Sequence, residues 1–213
     1  MNHQEFLKKI EVELKISKNS EYTIRNYIKA NEKLLNFLNK QPEQVKEDDV
    51  KLYMSENLTQ RAATSIILFL SAIKYAYINI LGQDITRRIK RPRREKKMPS
   101  VLTKDEVKKL INIIDSKKSW LMISLMYACG MRVSELVNLK VLDLDFDDKI
   151  GHIRQAKGKK DRIFNIPDFL FSKLRKHADS QKGDKQQYLF TGPKEQLSSR
   201  NLQKIVNNAA RRA

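Results

Sequence analysis

The sequence has few of the residues that form cross-links and metal sites. Cysteine occurs once in 213 residues, at Cys129. A single cysteine excludes an internal disulfide framework and favours a reducing compartment, so we expect a cytoplasmic protein. Histidine occurs three times, at His3, His152 and His177, and the three positions are scattered. We therefore expect neither a transition-metal site nor a cofactor.

Long apolar segments are also missing. There is no secretory signal pattern and no uninterrupted apolar run of about 18 residues, the length that a membrane span requires. The longest apolar stretch, 65–81, is broken by Ser71, Lys74 and Asn79, which predicts a buried helix and no membrane partner. Hydrophobic residues make up 40% of the chain and charged residues 32%. This balance is typical of a globular protein, and a length of 213 residues is enough for one large or two small domains.

Positive charge is abundant and unevenly distributed. The formal net charge is +18, of which residues 1–86 carry +1, residues 87–97 carry +7 and residues 98–213 carry +10. A concentrated basic excess indicates a polyanionic partner, and nucleic acid is the first candidate. An acidic membrane surface is a second candidate, although no aromatic residues flank the basic run. A solvated surface that only keeps the chain soluble is the third.

Periodicity divides the chain into a helical half and a mixed half. Residues 1–86 show apolar residues at helical spacing, which predicts a bundle of four helices at 6–16, 20–38, 46–56 and about 59–82. The basic run with Pro92 predicts an exposed linker, which Pro99 closes. The fold class that we predict is mainly α with a small antiparallel β-sheet, divided into a domain at 1–86, a linker at 87–98 and a domain at 99–213.

The second half alternates between helical and strand patterns. Thr103 and Glu106 form a capping-box pair that starts a helix through Ile114. We predict further helices at 120–128, 168–178 and from Ser198 onward, and strands at 142–146, 151–154, 162–166 and 188–190. A turn centred on Gly158 joins two of these strands and makes a hairpin with a basic tip.

One segment carries a candidate anion-binding group. An apolar helix ends at Gly130, because glycine takes the left-handed conformation there at little cost, and Arg132 follows at once. Glu135 lies three residues further on, within one helical turn of Arg132. An arginine braced by a carboxylate can grip two phosphate oxygens and keeps its charge at all physiological pH values. The alternative is an ordinary surface ion pair, which adds little stability.

These segments together resemble the tyrosine recombinase (phage integrase) family, and most closely its Xer-like members. Residues 129–136, CGMRVSEL, match a family box close to TGLRxSEL, and residues 156–167, AKGKKDRIFNIP, match a hairpin close to GKGxKxRxxPL. The segment 189–198 matches a family pattern LF…G…LS, and Thr23 and Tyr27 match a T…Y pair in the N-terminal half. The resemblance covers essentially the whole chain. It implies a helical, SAM-like core-binding domain followed by the first part of an α+β catalytic domain.

The resemblance also implies roles for individual residues. Family members cut DNA through a 3′-phosphotyrosyl intermediate. Arg132 matches the first catalytic arginine of the family, and Glu135 matches the acidic residue that orients it. Lys157 matches the hairpin lysine that is proposed to protonate the leaving 5′-oxygen. We expect the other cations to contact phosphates and add salt-dependent affinity without sequence information. These candidate DNA-binding residues are Arg87, Arg88, Lys90, Arg91, Arg93, Arg94, Lys96, Lys97, Lys159, Lys160 and Arg162.

The sequence departs from the family pattern after Ser198. The family places a His-x-x-Arg box and the nucleophilic tyrosine beyond the helix that ends here at Ala213, and no histidine in the chain has an arginine three positions on. All seven tyrosines, the last of which is Tyr188, precede the missing box. We expect the chain to be truncated relative to the family, and to bind duplex DNA without cleaving it.

Three functional hypotheses remain at this point. In the first, the chain is most of a site-specific recombinase whose full-length parent forms a homotetramer on DNA, while the fragment is a monomer in solution. In the second, it is a natural truncated integrase that acts as a non-catalytic DNA-binding or regulatory protein; a reading frame that continues into His-x-x-Arg would exclude this. The third, a basic RNA-binding or structural protein, predicts no preference for duplex DNA.

Overall fold

The computed structural model describes residues 1–93, 98, 100–154, 161–192 and 195–213. It divides into two compact units, Met1–Pro99 and Ser100–Ala213. Its described residues are mostly helical, with one small three-stranded antiparallel sheet, as the sequence predicts.

The first unit is a bundle of helices. Its elements are α1 (His3–Ile16), α2 (Glu21–Leu38), α3 (Glu47–Asn57) and α4 (Ala63–Leu81). Asn2 and Ser20 cap α1 and α2 by accepting hydrogen bonds from backbone amides three residues on, and α4 ends at Gly82, whose φ is 67°. The fourth helix begins at Ala63 and not near Thr59 as predicted, because the Arg61 amide donates to the Leu58 carbonyl in a turn.

Helix α4 supplies much of the core of the first unit. Its buried side chains include Phe69, Leu70, Ile73 and Tyr77, and the ring of Tyr77 packs edge-on against Phe6 at 5.3 Å between centroids. Helix α4 is long and apolar enough to cross a membrane. Buried core helices of soluble proteins can have the same length and composition, so this is weak evidence for a membrane span. Burial of this apolar face against α1 and α2 is the main force that holds the unit together.

The predicted basic linker begins as a turn that is packed on the first unit. Ile85 and Thr86 are buried, and Ile89 packs against the core as a partly buried residue. The Asp84 carboxylate accepts hydrogen bonds from both the amide and the hydroxyl of Thr86 and pairs with Lys74 at 2.8 Å. The backbone at 84–89 is therefore fixed, while the nearby cationic side chains point to solvent.

The second unit contains the remaining elements of the described chain. The helices are α5 (Lys104–Asn112), α6 (Lys117–Cys129), α7 (Val133–Asn138), α8 (Asp168–Gly183) and α9 (Ser199–Arg212). Strands β1 (Leu144–Asp145), β2 (Ile150–Ile153) and β3 (Arg162–Asn165) form the three-stranded sheet in that order, and β4 (Thr191–Gly192) pairs with β5 (Glu195–Gln196). The capping box of Thr103 and Glu106 is present at the start of α5.

The small sheet is closely packed at one pair of residues. Gly151 in β2 lies opposite Phe164 in β3, and a Cβ atom built on Gly151 would lie 2.1 Å from Cζ of Phe164. The Phe164 ring, which is buried, therefore occupies the space that a side chain at position 151 would need. Position 151 therefore requires glycine in the observed register.

The structure corrects three predicted segments of the second unit. The predicted strand 142–146 is shorter, because Val141–Asp143 forms a 3₁₀ turn. The predicted strand 188–190 is a single bridge between Tyr188 and Lys140, since Leu189 and Phe190 are fully buried in the core. The predicted helix 168–178 extends to Gly183, through polar residues that carry no apolar periodicity.

Candidate functional site

The turn between α6 and α7 gives Arg132 a fixed backbone. Gly130 has a φ of 57°, and the amides of Gly130 and Met131 both donate to the Met126 carbonyl at the end of α6. This is a common way of ending a helix with a left-handed glycine. Met131 is buried and anchors the turn in the core. Arg132 follows as the N-cap residue of α7.

Glu135 holds Arg132 through both its backbone and its side chain. Oε2 of Glu135 accepts from the Arg132 amide at 3.0 Å, and Oε1 accepts from Nη1 of Arg132 at 2.6 Å. The Glu135 side chain is 3% exposed, whereas that of Arg132 is 59% exposed. Within the described residues the Arg132 guanidinium makes no other hydrogen bond, so its remaining donors face solvent. The contact that the spacing predicts is present, and it leaves the guanidinium available to an anion.

Arg162 is a second arginine on the same carboxylate. It is the first residue of β3, and its Nη2 donates to Oε2 of Glu135 at 2.7 Å. The same guanidinium donates to the carbonyls of Gly130 at 3.1 Å and Cys129 at 3.4 Å. These are carbonyls at the end of α6, where the helix leaves acceptors without intrahelical partners. Arg162 therefore binds the Arg132 turn at three points.

The two arginines determine the ionisation of Glu135. Burial by itself raises the pKa of this carboxyl, but the hydrogen bonds from Arg162 and Arg132 outweigh burial and leave the pKa below its ordinary value. Glu135 is therefore charged at neutral pH and compensates one of the two arginines. The cluster keeps a net positive charge that can attract an anion.

We predict an acid-sensitive contribution of Glu135 to stability. Because its pKa is lower in the folded than in the unfolded chain, the contribution is complete above the ordinary glutamate pKa of about 4.3. It is lost as the pH falls toward the lowered folded value. Glu135→Gln should lower the free energy of unfolding at neutral pH by about 2 kcal/mol. This is less than the usual cost of breaking a fully buried ion pair, because both arginines keep contact with solvent.

The measurement is urea unfolding followed by the fluorescence of Trp120. This is the only tryptophan in the chain, and it packs against the core of the second unit. The control is Glu106→Gln, since Glu106 accepts from the Thr103 amide at 2.7 Å in the same way but is exposed and pairs with no arginine among the described residues. Equal losses in the two variants at neutral pH would show that the arginines add nothing.

The thiol of Cys129 is poorly suited to act as a nucleophile because burial keeps it protonated. Burial raises the pKa of its thiol to about 11, although the nearby charge of Arg162 lowers it in part. Its Sγ lies 3.5 Å from the Asn165 carbonyl, as a weak donor. At neutral pH almost no thiolate is present, so the residue serves packing rather than chemistry.

Arg154 is a second exposed arginine that is held by a buried carboxylate, and the sequence patterns did not predict it. The Asp143 side chain is 7% exposed and accepts from Nε of Arg154 at 2.8 Å and from the Lys140 amide at 3.0 Å. Arg154 is 66% exposed, so this pair repeats the arrangement of Glu135 and Arg132. The three-residue spacing of Lys140 and Asp143 indicates the bond from the Lys140 amide. The contact between Asp143 and Arg154 has no local signal in the sequence, because it depends on the pairing of β1 with β2.

The remaining predicted site residues fall into two groups. Lys157, Lys159 and Lys160 of the hairpin, and Arg94, Lys96 and Lys97 of the basic run, lie outside the described residues. The other cations of the basic run are exposed and make no ion pair with any described residue; they are Arg87, Arg88, Lys90, Arg91 and Arg93. Several lysines elsewhere in the first unit are paired with carboxylates, among them Lys8, Lys9, Lys15, Lys51 and Lys74.

Family models match both units. The model described as the phage integrase family matches residues 100–213. The model described as the phage integrase N-terminal SAM-like domain matches residues 6–87. The two matches together leave out only the N-terminal residues and the basic segment.

Curated relatives carry the name tyrosine recombinase. The chain is 35% identical over 156 residues to tyrosine recombinase XerA of Thermococcus kodakarensis, covering 70% of this chain and 55% of the relative. It is 36% identical to XerA of Pyrococcus furiosus, covering 70% and 54%. It is 30% identical to a tyrosine recombinase of Thermosipho africanus, covering 77% and 63%. The chain thus spans less than two thirds of the length of these relatives.

Solved structures share the fold. A lambda integrase dimer bound to a COC′ core site matches with a TM-score of 0.79 at 17% identity, covering 99% of this chain and 81% of that one. A lambda integrase tetramer bound to a Holliday junction matches with a TM-score of 0.77 at 17% identity, covering 98% and 62%.

Proposed function

The chain belongs to the phage integrase family as a Xer-like tyrosine recombinase, and we propose that it binds duplex DNA and holds a backbone phosphate at Arg132. One observation carries the proposal: a guanidinium that is fixed by a buried carboxylate keeps its free donors at the surface. A phosphate oxygen is the acceptor that such a fork binds best. The lambda integrase structures that share the fold are bound to DNA, which supports the same partner here.

The chemistry that we propose for the full-length protein is the family's DNA strand exchange. Arg132 would stabilise charge that develops on the non-bridging oxygens of the scissile phosphate, and it would do so without reorganising, because Glu135 already holds it. Lys157 would protonate the leaving 5′-oxygen. Rotation of the Arg132 guanidinium is opposed by its hydrogen bond to Oε1 of Glu135, and the bond from the Arg132 amide to Oε2 fixes the backbone.

We further propose that the 213-residue polypeptide binds DNA without cutting it, as a monomer in the cytoplasm. None of its three histidines begins a His-x-x-Arg sequence, and its last tyrosine, Tyr188, lies in a bridge with Lys140. Tyr77 is buried in the first unit, and burial raises its pKa far above the usual range, so it cannot serve as a nucleophile. Catalytic groups that act as a unit lose nearly all activity when some are missing.

The test has a binding arm and a cleavage arm. In the binding arm, fluorescence anisotropy compares duplex DNA with an RNA duplex of the same sequence over a salt titration. We expect a clear preference for DNA and an affinity that falls steeply with salt. In the cleavage arm, a nicked suicide duplex is incubated with the chain, and we expect no covalent protein–DNA band on denaturing electrophoresis.

Each arm can fail separately. Equal affinity for RNA and DNA would overturn the duplex DNA partner and favour the RNA-binding hypothesis. A covalent band would overturn binding without cleavage while leaving the partner intact. Light scattering at the concentration of the assay checks the monomer.

A further inference from the structure

Arg162 faces the protein rather than the solvent. Its side chain is 34% exposed, compared with 59% for Arg132, and its guanidinium donates to Glu135 and to the carbonyls of Cys129 and Gly130. A guanidinium has five donors, and at least three contacts here are internal. The phosphate contact that the sequence predicts for Arg162 would compete with these bonds.

We infer that Arg162 is a positioning residue: it holds Glu135 and the end of α6 so that Arg132 stays open to a phosphate. The inference rests on the proposed function of Arg132. It assigns Arg162 a role different from that of the neighbouring lysines of the hairpin.

The reason lies in how Glu135 divides its two oxygens. Oε1 accepts from the Arg132 side chain, and Oε2 is shared between Arg162 and the Arg132 amide. An unshared carboxylate and a guanidinium tend to pair through two parallel hydrogen bonds. Without Arg162, Oε2 can therefore draw in a second nitrogen of Arg132. The donors of Arg132 would then turn toward Glu135 and away from the phosphate.

The position of Arg162 in β3 also connects the β2–β3 hairpin to the turn that precedes Arg132. Arg162 is the first residue of β3 and pairs in register with Ile153 of β2. It thus belongs to the last pair of the β2–β3 ladder before the connecting segment, whose sequence includes Lys157, and its guanidinium reaches the turn that carries Arg132. One side chain connects the two segments that supply the candidate catalytic cations of this chain.

A double-mutant cycle on DNA affinity tests the inference. Arg132→Ala, Arg162→Gln and the double variant are compared with the parent chain by anisotropy at one fixed salt concentration. A residue that acts through Arg132 loses its effect when Arg132 is absent. We expect Arg162→Gln to weaken binding about fivefold alone and less than about twofold in the Arg132→Ala background.

Arg162→Lys separates geometry from charge. Lysine keeps the positive charge but lacks the planar fork that serves three acceptors, so it should bind DNA as weakly as Arg162→Gln. The matched control is Arg212→Gln, because Arg212 is an arginine of the same unit that pairs at 3.0 Å with an exposed carboxylate, Asp115. We expect the control to change affinity less than about twofold.

A second readout needs no DNA. Cys129 is the only cysteine, and its carbonyl accepts from Arg162, so thiol labelling reports whether the turn opens. Arg162→Lys keeps the charge beside the thiol and should label about threefold faster than the parent chain, because the turn opens more often. Tryptophan fluorescence during urea unfolding confirms that each variant is folded.

The outcomes separate the positioning role of Arg162 from the phosphate contact of Arg132. An effect of Arg162→Gln that persists undiminished beside Arg132→Ala overturns the positioning role and makes Arg162 a direct DNA contact. Wild-type affinity in Arg162→Lys overturns it as well. If Arg132→Ala leaves DNA affinity unchanged, the proposed phosphate contact fails, and the labelling rate alone decides: an unchanged rate in Arg162→Lys overturns the positioning role.

Discussion

Replacing the five exposed cations of the basic segment by glutamine should weaken duplex DNA binding about a thousandfold at physiological salt, if each contacts one phosphate. Each phosphate contact adds about 0.9 to the steepness with which log affinity falls against log salt, so losing five contacts should reduce that steepness by about 4.5. The variant carries changes at Arg87, Arg88, Lys90, Arg91 and Arg93, which are exposed and form no ion pair with described residues. The loss should be nearly equal for all DNA sequences, because phosphate contacts carry no sequence information.

The matched control removes the same charge from another part of the first unit. Lys8, Lys9, Lys15, Lys40 and Lys51 are each paired with a carboxylate other than Asp84 of the 84–89 turn, and all five are changed to glutamine together. If only net charge matters, both variants lose affinity equally. We expect the control to keep most of its affinity and its salt slope; equal losses would remove the basic segment from the proposed interface.

Gly151→Ala should destabilise the second unit by about 3 kcal/mol, because a new methyl group must displace a buried ring. The added Cβ would lie 2.1 to 2.8 Å from three ring atoms of Phe164. The ring is 5% exposed and belongs to the main core of the unit. The melting temperature followed by Trp120 fluorescence should fall by about 10 °C.

Two further variants isolate the cause. Gly183→Ala at the end of α8 meets no atom within 4 Å, so it should be neutral or raise stability by up to about 1 kcal/mol. Gly151→Ala combined with Phe164→Leu should cost less than the sum of the two single changes, since a smaller side chain makes room for the methyl group. Strict additivity of the two changes would show that the clash is not the cause.

Features that depend on residues close together in the chain could be predicted from the sequence. The helices of the first unit follow from apolar periodicity and from caps such as Ser20 and Gly82. The contact between Arg132 and Glu135 follows from their spacing of three residues at a helix start. These features depend on neighbours within one or two turns, so a single sequence contains the necessary information.

Contacts between distant segments could not be predicted in this way. The bond from Arg162 to Glu135, 27 residues earlier, had no local signal in the sequence, because it forms only where β3 brings Arg162 to the end of α6. Asp143 binds Arg154 only because β1 and β2 are paired. The strand predicted at 188–190 was wrong because the apolar run Leu189–Phe190 is buried in the core with a single bridge beside it. In each case the deciding partner is set by tertiary packing.

The anchored turn at 84–89 changes the thermodynamics that we expect for binding. Ile85, Thr86 and Ile89 pack on the first unit, and Asp84 ties the turn to Lys74. A disordered basic tail loses conformational freedom when it settles on a polyanion, and that entropy loss reduces its affinity. The backbone of Arg87 and Arg88 is already ordered in the free protein, so most of that loss is incurred during folding. Calorimetry should therefore find a smaller unfavourable entropy per cation here than for a flexible peptide of the same sequence.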